Sequence, residues 1–383
     1  NYRDSFGSVV VWDSIIYNDL RGDERNIKEE DYKIVCPPRK VATKDRQIKG
    51  AHVKDPIIGM HEWVMSFDLN SLYPHIIMQY NMSPETIVPH KVSDVEVDDL
   101  LTNKEYERPE DTCMSGTGQC FSTTKPGIIP RLIANLYKER SEIKDEMISK
   151  SKDKEATKAK LSQDDKTTVD PNKKRTGGQG NAAKDIYQLE KQIDKLDTKQ
   201  LALKILMNTL YGALSNQYFR YFDPRIAEGI TVTGQYTIRS AEKAVNDWMN
   251  KRLQTKNVDY VIAIDTDSLY VNFGPMVKKF MSDKSKQQIL DILDKEVAPR
   301  MEKLFKQTYD KLSNKMGCLN NMMQMKREVI ADKGIWTGKK HYMLSVLDSE
   351  GVRYNLKDPK MKLQGIEAVR SSTPNIFREL IEK

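Results

Sequence analysis

The residues best suited to chemistry lie in Val261-Ile-Ala-Ile-Asp265-Thr266-Asp267-Ser-Leu-Tyr-Val271. An apolar run leads into Asp-Thr-Asp, and a second apolar run follows, which predicts a β-hairpin. Strand side chains alternate between faces, so Asp265 and Asp267 are expected on one side. Carboxylates that close repel each other unless a cation lies between them. Oxygen-only ligands suit Mg²⁺ or Mn²⁺ better than zinc. The plainer reading is an Asx-type turn with solvated carboxylates.

Two further segments point the same way. Val64-Met-Ser-Phe-Asp68-Leu69-Asn-Ser71-Leu72-Tyr73-Pro74 is another strand-like run that reaches a carboxylate. Its turn would leave the backbone N–H groups of Ser71 and Leu72 open as a nest for phosphate oxygens. The alternative is a strand-to-helix junction with Asp68 or Ser71 as cap. In Lys204-Ile-Leu-Met-Asn208-Thr-Leu-Tyr211-Gly212, the residues Lys204, Asn208, Tyr211 and Gly212 follow the i, i+4, i+7, i+8 spacing of one helical face. An amphipathic helix with a solvated lysine would look the same.

The elements that must hold these groups are mixed. Residues 1–40 read as short strands with a Pro37-Pro38 break, and Lys49 to Lys54 as a Gly-containing turn. Residues 129–147 have helical periodicity with Pro130 near the start. A polar stretch rich in Lys, Asp, Thr and Gly follows at 149–184 and reads as a solvated, mobile tip. A second helix is expected from about Ala183 through Gly212, giving a helical hairpin. Helices are expected at 233–253 and 287–312, and a strand at 343–347.

Composition sets bounds. The 383 residues can hold two or three domains, and 62 basic against 55 acidic residues give +7, a modest excess that suits a polyanionic partner. Cys36, Cys113, Cys120 and Cys318 include no close Cys-x-x-Cys pair, so they read as reduced thiols. Cys113 and Cys120 bracket what looks like a surface loop. No apolar run reaches membrane-spanning length and no secretory signal is visible.

The order Asp-x-x-Ser-Leu-Tyr-Pro, Lys-x-x-x-Asn-x-x-Tyr-Gly, Asp-Thr-Asp-Ser resembles motifs A, B and C of family B DNA polymerases. Outside the motifs, the stretches beginning at Trp12, Asn81, Phe219 and Trp336 are similar to the polymerases of T-even-type bacteriophages and their marine relatives. The resemblance covers nearly the whole chain. It implies an α+β fold: a polymerase palm with an antiparallel β-sheet backed by helices, plus an inserted helical-hairpin fingers domain. It assigns residues 1–40 to a segment connecting an exonuclease region to the palm. Residues 41–128 would be the first palm segment, 129–215 the fingers and 216–383 the second palm segment. Exonuclease and thumb would lie outside the chain. Asn1 is not Met, and the helical pattern at 375–383 has no stop signal, so a fragment or one piece of a split enzyme is expected.

The resemblance also implies DNA-templated synthesis by two-metal-ion nucleotidyl transfer. Asp68, Asp265 and Asp267 would be catalytic, and Asp68 and Asp267, with Leu69, would hold two Mg²⁺ ions, or Mn²⁺. Ser71, Leu72, Tyr73, Arg140, Lys144, Lys204, Asn208, Tyr211 and Gly212 would bind the dNTP, with Tyr73 excluding a 2′-hydroxyl. Thr266, Lys340 and Tyr342 would contact DNA, the last two along the minor groove; an edge strand guarded by charge is the alternative. Implied partners are primer-template DNA, dNTPs, a second polypeptide supplying exonuclease or thumb, and a sliding clamp if a C-terminal region is present. No membrane is involved, and the place of action is the cytoplasm of the infected bacterial host.

The chain departs from the family's pattern at three points. Ala263-Ile264 stands where Tyr-Gly is usual, which could alter a primer-end contact. His75 follows Pro74 in place of a small residue, and the stretch between Glu328 and Trp336 is short. A polymerase-like DNA-binding protein without chemistry is the competing class; the intact Asp68, Asp265, Asp267, Lys204 and Arg140 argue against it. Reverse transcriptases also pair acids on a palm but lack the Lys-x-x-x-Asn-x-x-Tyr-Gly helix.

Overall fold

A computed structural model describes residues 7–22, 48–102, 104–167, 178–367 and 373–376. Cys36, the Pro37-Pro38 break, residues 168–177 of the charged stretch and the end of the 375–383 pattern lie outside the described residues. The chain divides into two compact units, residues 1–40 with 128–221 and residues 41–127 with 222–383. In chain order the elements begin α1 (Ser8–Gly22), β1 (Gly59–Leu69), α2 (Leu72–Gln79), β2 (Ile87–Lys91), α3 (Val97–Leu101), β3 (Thr112–Met114), β4 (Gln119–Ser122), α4 (Ile128–Thr167) and α5 (Gly178–Leu214). They continue α6 (Pro224–Leu253), β5 (Val261–Asp265), β6 (Ser268–Asn272), α7 (Gly274–Phe280), α8 (Lys286–Ile292), α9 (Ala298–Met316), β7 (Met325–Gly338), β8 (His341–Ser349), β9 (Val352–Arg353) and β10 (Lys360–Gln364). This α+β composition is the expected fold class.

The first unit is helical. Glu139 pairs with Lys199 at 3.2 Å and Glu190 with Lys154 at 3.8 Å, so α4 and α5 run antiparallel. Exposed pairs of this kind contribute less than about 1 kcal/mol each. Burial of Leu132, Ile133, Ile143, Met207, Leu210 and Leu214 does more, at roughly 1.5–3 kcal/mol per large apolar side chain. The 149–184 stretch is not the loop its polarity suggested: helix continues to Thr167 and resumes at Gly178. Lys, Glu, Ala and Gln are strong helix formers whatever their charge, and Lys150 pairs with Glu146 one turn back. Residues 8–22 are likewise helix where short strands were expected. The run Val9-Val10-Val11 favours a strand locally, but Trp12, Ile16 and Leu20 fall one above another at four-residue spacing and are buried. The Trp12 indole N–H donates to the Leu206 carbonyl at 3.1 Å, fixing α1 on α5.

The second unit is built on an antiparallel sheet in the order β10-β8-β7-β1-β6-β5, with β9 beside β8. Phe67 points to the face covered by helices, where its ring meets Phe305 of α9 edge-on at 5.2 Å. Ser66 and Asp68 therefore point to the other face. Asp223 caps α6 by accepting the Arg225 N–H, and Pro224 occupies the first turn, so this helix starts nine residues before its expected position. The expected 287–312 helix is α8, a π turn at Leu293–Val297, then α9. Pro299 lacks the N–H that an uninterrupted α-helix would use there. Gly317 ends α9 at φ 75° with the Arg108 guanidinium where a Cβ would stand.

A three-stranded sheet, β2-β4-β3, completes this unit. The Cys113 to Cys120 connection is buried, not a surface loop. Gly116 lets it approach α6 so closely that a Cβ would meet the Thr233 backbone nitrogen at 2.9 Å. Cys113, Cys120 and Cys318 are buried free thiols. Among the described residues no helix is long and apolar enough to cross a membrane.

Candidate active site

Sheet register assembles the acidic group. Asp68 of β1 stands opposite Ser268 of β6, which stands opposite Asp265 of β5. The Ser268 hydroxyl donates to Asp68 Oδ1 at 2.7 Å. Thr266 takes φ 61°, and the Asp267 N–H turns back to the Asp265 carbonyl at 2.7 Å. The Leu69 N–H then reaches the Asp267 carbonyl at 3.0 Å, tying the hairpin tip to the end of β1. Asp265 and Asp267 thus come from a tight turn, not from simple strand alternation. The Thr266 N–H donates to the His52 carbonyl at 3.1 Å, and its hydroxyl to Asp265 Oδ1 at 3.3 Å.

Negative charge is concentrated at this site. Burial, then the charge of Asp68, with smaller contributions from Asp265 and Glu328, pushes the Asp267 carboxyl up to about 7. Asp265 differs, because Lys340 Nζ lies 3.0 Å from its Oδ1. Among the described residues no three His, Cys, Asp or Glu side chains form a complete cage for a metal ion. The Asp68 and Asp267 carboxylates remain as oxygen donors. That sparse, hard-oxygen set fits Mg²⁺, which keeps waters or phosphate oxygens in its shell.

Glu328 is a site residue that sequence reasoning missed. Val329 pairs with Ser66 and Arg327 with Phe67, so Glu328 is the extra residue of a β-bulge. It accepts from Ser66 Oγ at 3.1 Å and from Lys362 Nζ at 2.8 Å. No local pattern announces a bulge, so the sequence held no usable signal. Beside it lies an aromatic cluster: Tyr270 and Tyr342 share a 2.8 Å hydroxyl contact, and Trp336 stacks on Tyr342.

At the β1–α2 junction Ser71 takes φ 46°, ψ 56° and α2 begins at Leu72. A left-handed residue leading into a helix start is a backbone nest for anions. Tyr73 is half-buried, its ring against Gly234 of α6. His75 is buried; burial lowers its pKa, and its Nδ1 lies 3.0 Å from the Ser71 carbonyl, to which it donates.

In the helical unit, Lys204, Asn208 and Gly212 lie on an exposed face of α5, with Tyr211 half-buried beside them. Lys144 is exposed on α4, whereas Arg140 is half-buried and its Nε has no partner.

A model of DNA polymerase family B matches residues 25–165 and 182–383. The chain belongs to this family. It is 33% identical over 404 residues to the DNA-directed DNA polymerase of Escherichia phage RB69, covering 99% of this chain and 43% of that protein. It is 32% identical over 400 residues to that of Enterobacteria phage T4, covering 98% and 43%. DNA polymerase 1 of Pyrococcus abyssi is 26% identical over 331 residues, 86% of this chain and 31% of that protein. The chain thus spans less than half the length of these family B relatives.

Tyr342 is buried with its hydroxyl on Tyr270, and Lys340 occupies a turn at φ 59° against Asp265. Tyr342 is the second residue of the extended strand β8, and Lys340 is exposed in the turn that precedes it. Ile264 is also buried, a core residue of β5. Lys54 is held by Glu242 at 2.7 Å and Asp259 at 2.5 Å.

Proposed function

We propose that this chain carries the polymerising centre of a DNA-templated DNA polymerase. It would transfer a nucleotidyl unit from a dNTP to a primer 3′-hydroxyl and release pyrophosphate. The observation that carries this reading is the Asp68–Asp267 pair, gathered at the end of a central strand with the Asp267 carboxyl pushed up to about 7. Mutual repulsion of this kind is relieved when a divalent cation enters, and a fold that maintains it has prepared a site for one.

Asp68, Asp267 and the Leu69 carbonyl would hold the two divalent ions, Mg²⁺ or Mn²⁺. When bound, the ions supply charge neutralisation at the phosphate. Ser268 orients Asp68 by its hydrogen bond, and Asp265 steadies the turn with Lys340. The Ser71 and Leu72 N–H groups, with Arg140, Lys144 and Lys204, take the triphosphate's charge. Asn208, Tyr211 and Gly212 shape the base-pair pocket. Tyr73 would exclude a ribose 2′-hydroxyl. Thr266, Lys340 and Tyr342 would contact DNA, the last two along the minor groove. The setting is phage DNA replication in the cytoplasm of an infected bacterium. A second polypeptide supplying exonuclease or thumb belongs to the same proposal.

Primer extension with the four dNTPs and Mg²⁺ is the test, run on this chain and on a completed enzyme in which it is joined to exonuclease and thumb segments. Extension by Asp68→Ala at the wild-type rate in the completed enzyme would remove the assignment.

A further inference from the structure

A cavity of about 280 Å³ lies in the unit formed by 41–127 and 222–383, bounded by α3, α6 and α9. The Phe67–Phe305 contact puts α9 on the sheet face opposite Asp68. None of the acidic-site residues lines this cavity. Three of its lining residues are lysines: Lys243 on α6, and Lys311 and Lys315 one turn apart on α9. Lys243 Nζ donates to the Leu101 carbonyl at 2.7 Å and Lys315 Nζ to the Leu100 carbonyl at 2.8 Å. These carbonyls are consecutive at the end of α3, so the two ammonium groups are brought side by side.

That arrangement leaves positive charge and donors to spare. An ammonium has three N–H donors, and each carbonyl uses one. Among the described residues of the lining, Asp247 is the acidic side chain. The Lys315 ammonium is disfavoured by burial, favoured by Glu105 and disfavoured again by Lys243. Capping the last carbonyls of α3 accounts for Lys243 and Lys315; it explains neither Lys311 nor the open volume. A water molecule's share of liquid is about 30 Å³, so the space exceeds what a single small ion fills. A linear anion with several charges suits three ammonium groups spread over two helices.

We propose that this cavity binds a phosphate chain, either inorganic pyrophosphate or the triphosphate tail of a nucleotide. The assignment does not depend on the polymerase reading. Lysines are point-charge phosphate binders, and the carboxylates of the acidic site are not required.

Equilibrium titration of the full chain in EDTA, with pyrophosphate and separately with a dNTP, tests it. Saturable binding of at least one is expected, weakened about tenfold by Lys311→Gln, as loss of one charge-assisted hydrogen bond implies. Lys243→Gln/Lys315→Gln should weaken it further, and Lys303→Gln, at an exposed α9 lysine outside the lining, should leave it unchanged. Lys311 holds neither carbonyl, so its variant decides the matter even if the double variant fails to fold. Binding of pyrophosphate alone identifies a free polyphosphate site; tighter dNTP binding identifies a nucleotide. No saturable binding of either probe overturns the proposal, as does binding that survives Lys311→Gln or is lost in Lys303→Gln. Those outcomes leave the Asp68 test untouched.

Discussion

In the sheet, Asp68 and Ser268 meet across 200 residues of chain, held by strand register and a 2.7 Å hydrogen bond. On α5, Lys204 and Asn208 share a face because they are four residues apart, and that face is exposed. The first arrangement depends on tertiary structure and carries a perturbed acid. The second follows from helix geometry and leaves its cation in water. Groups fixed by register should be intolerant of change and coupled to folding. Groups fixed by local spacing should affect function while leaving stability nearly alone.

The sharpest test of this contrast is the carboxylate pair. In the completed enzyme, Asp68→Ala or Asp267→Ala is expected to lower primer extension by at least about 10³-fold. Asp265→Ala should cost less, since Lys340 already neutralises it. Quenched-flow extension assays measure each. Equal losses at all three would erase the distinction between Asp265 and the other two carboxylates.

Folding stability gives the next largest effect. Burial and the charge of Asp68 push the Asp267 carboxyl up to about 7 in the folded chain, from its usual 3.8. The folded state therefore binds more protons than the unfolded state between those values, and stability falls as pH rises through the interval. In EDTA, Asp267→Asn should stabilise the chain above pH 7 by roughly 2–4 kcal/mol at most, with the gain vanishing below pH 4. Lys204→Ala should show no such pH dependence. Denaturant melts across pH decide this, and a flat difference curve for Asp267→Asn would break the comparison.

Lys204→Ala is expected to cost about 10–100-fold in kcat/KM for dNTP, the worth of a charge-assisted contact. Its melting temperature should stay within about a degree. A large loss of stability would mean that the lysine serves the hairpin and not a ligand. The smallest effect is reserved for Tyr73, which is anchored against α6 yet half-exposed. Tyr73→Ala should reduce the preference for dNTP over rNTP about tenfold, while dNTP use changes less. An unchanged ratio would leave Tyr73 as ordinary packing.

Legibility in the sequence followed the range of the interactions. The β5–β6 hairpin, the strand ending at Asp68 and the helix carrying Lys204 were readable because each rests on a local period. The helix at 8–22 was not, since Val9 to Val11 read locally as strand and only burial of Trp12, Ile16 and Leu20 settles the matter. The polar stretch after Ser149 misled for the opposite reason. Its composition suggested solvated loop, yet its Lys, Glu, Ala and Gln residues are good helix formers on an arm that needs little burial.

The sequence alone determined which side chains exist to do chemistry, their local spacing and the family pattern they follow. Only the tertiary structure decided which of them meet. It placed Ser268 on Asp68, Lys340 on Asp265 and Glu328 on the acidic face. It also turned Tyr342 inward onto Tyr270. The physical reason is that register, a bulge and a left-handed turn each redirect side chains by the geometry of a distant partner strand, information that no local period contains.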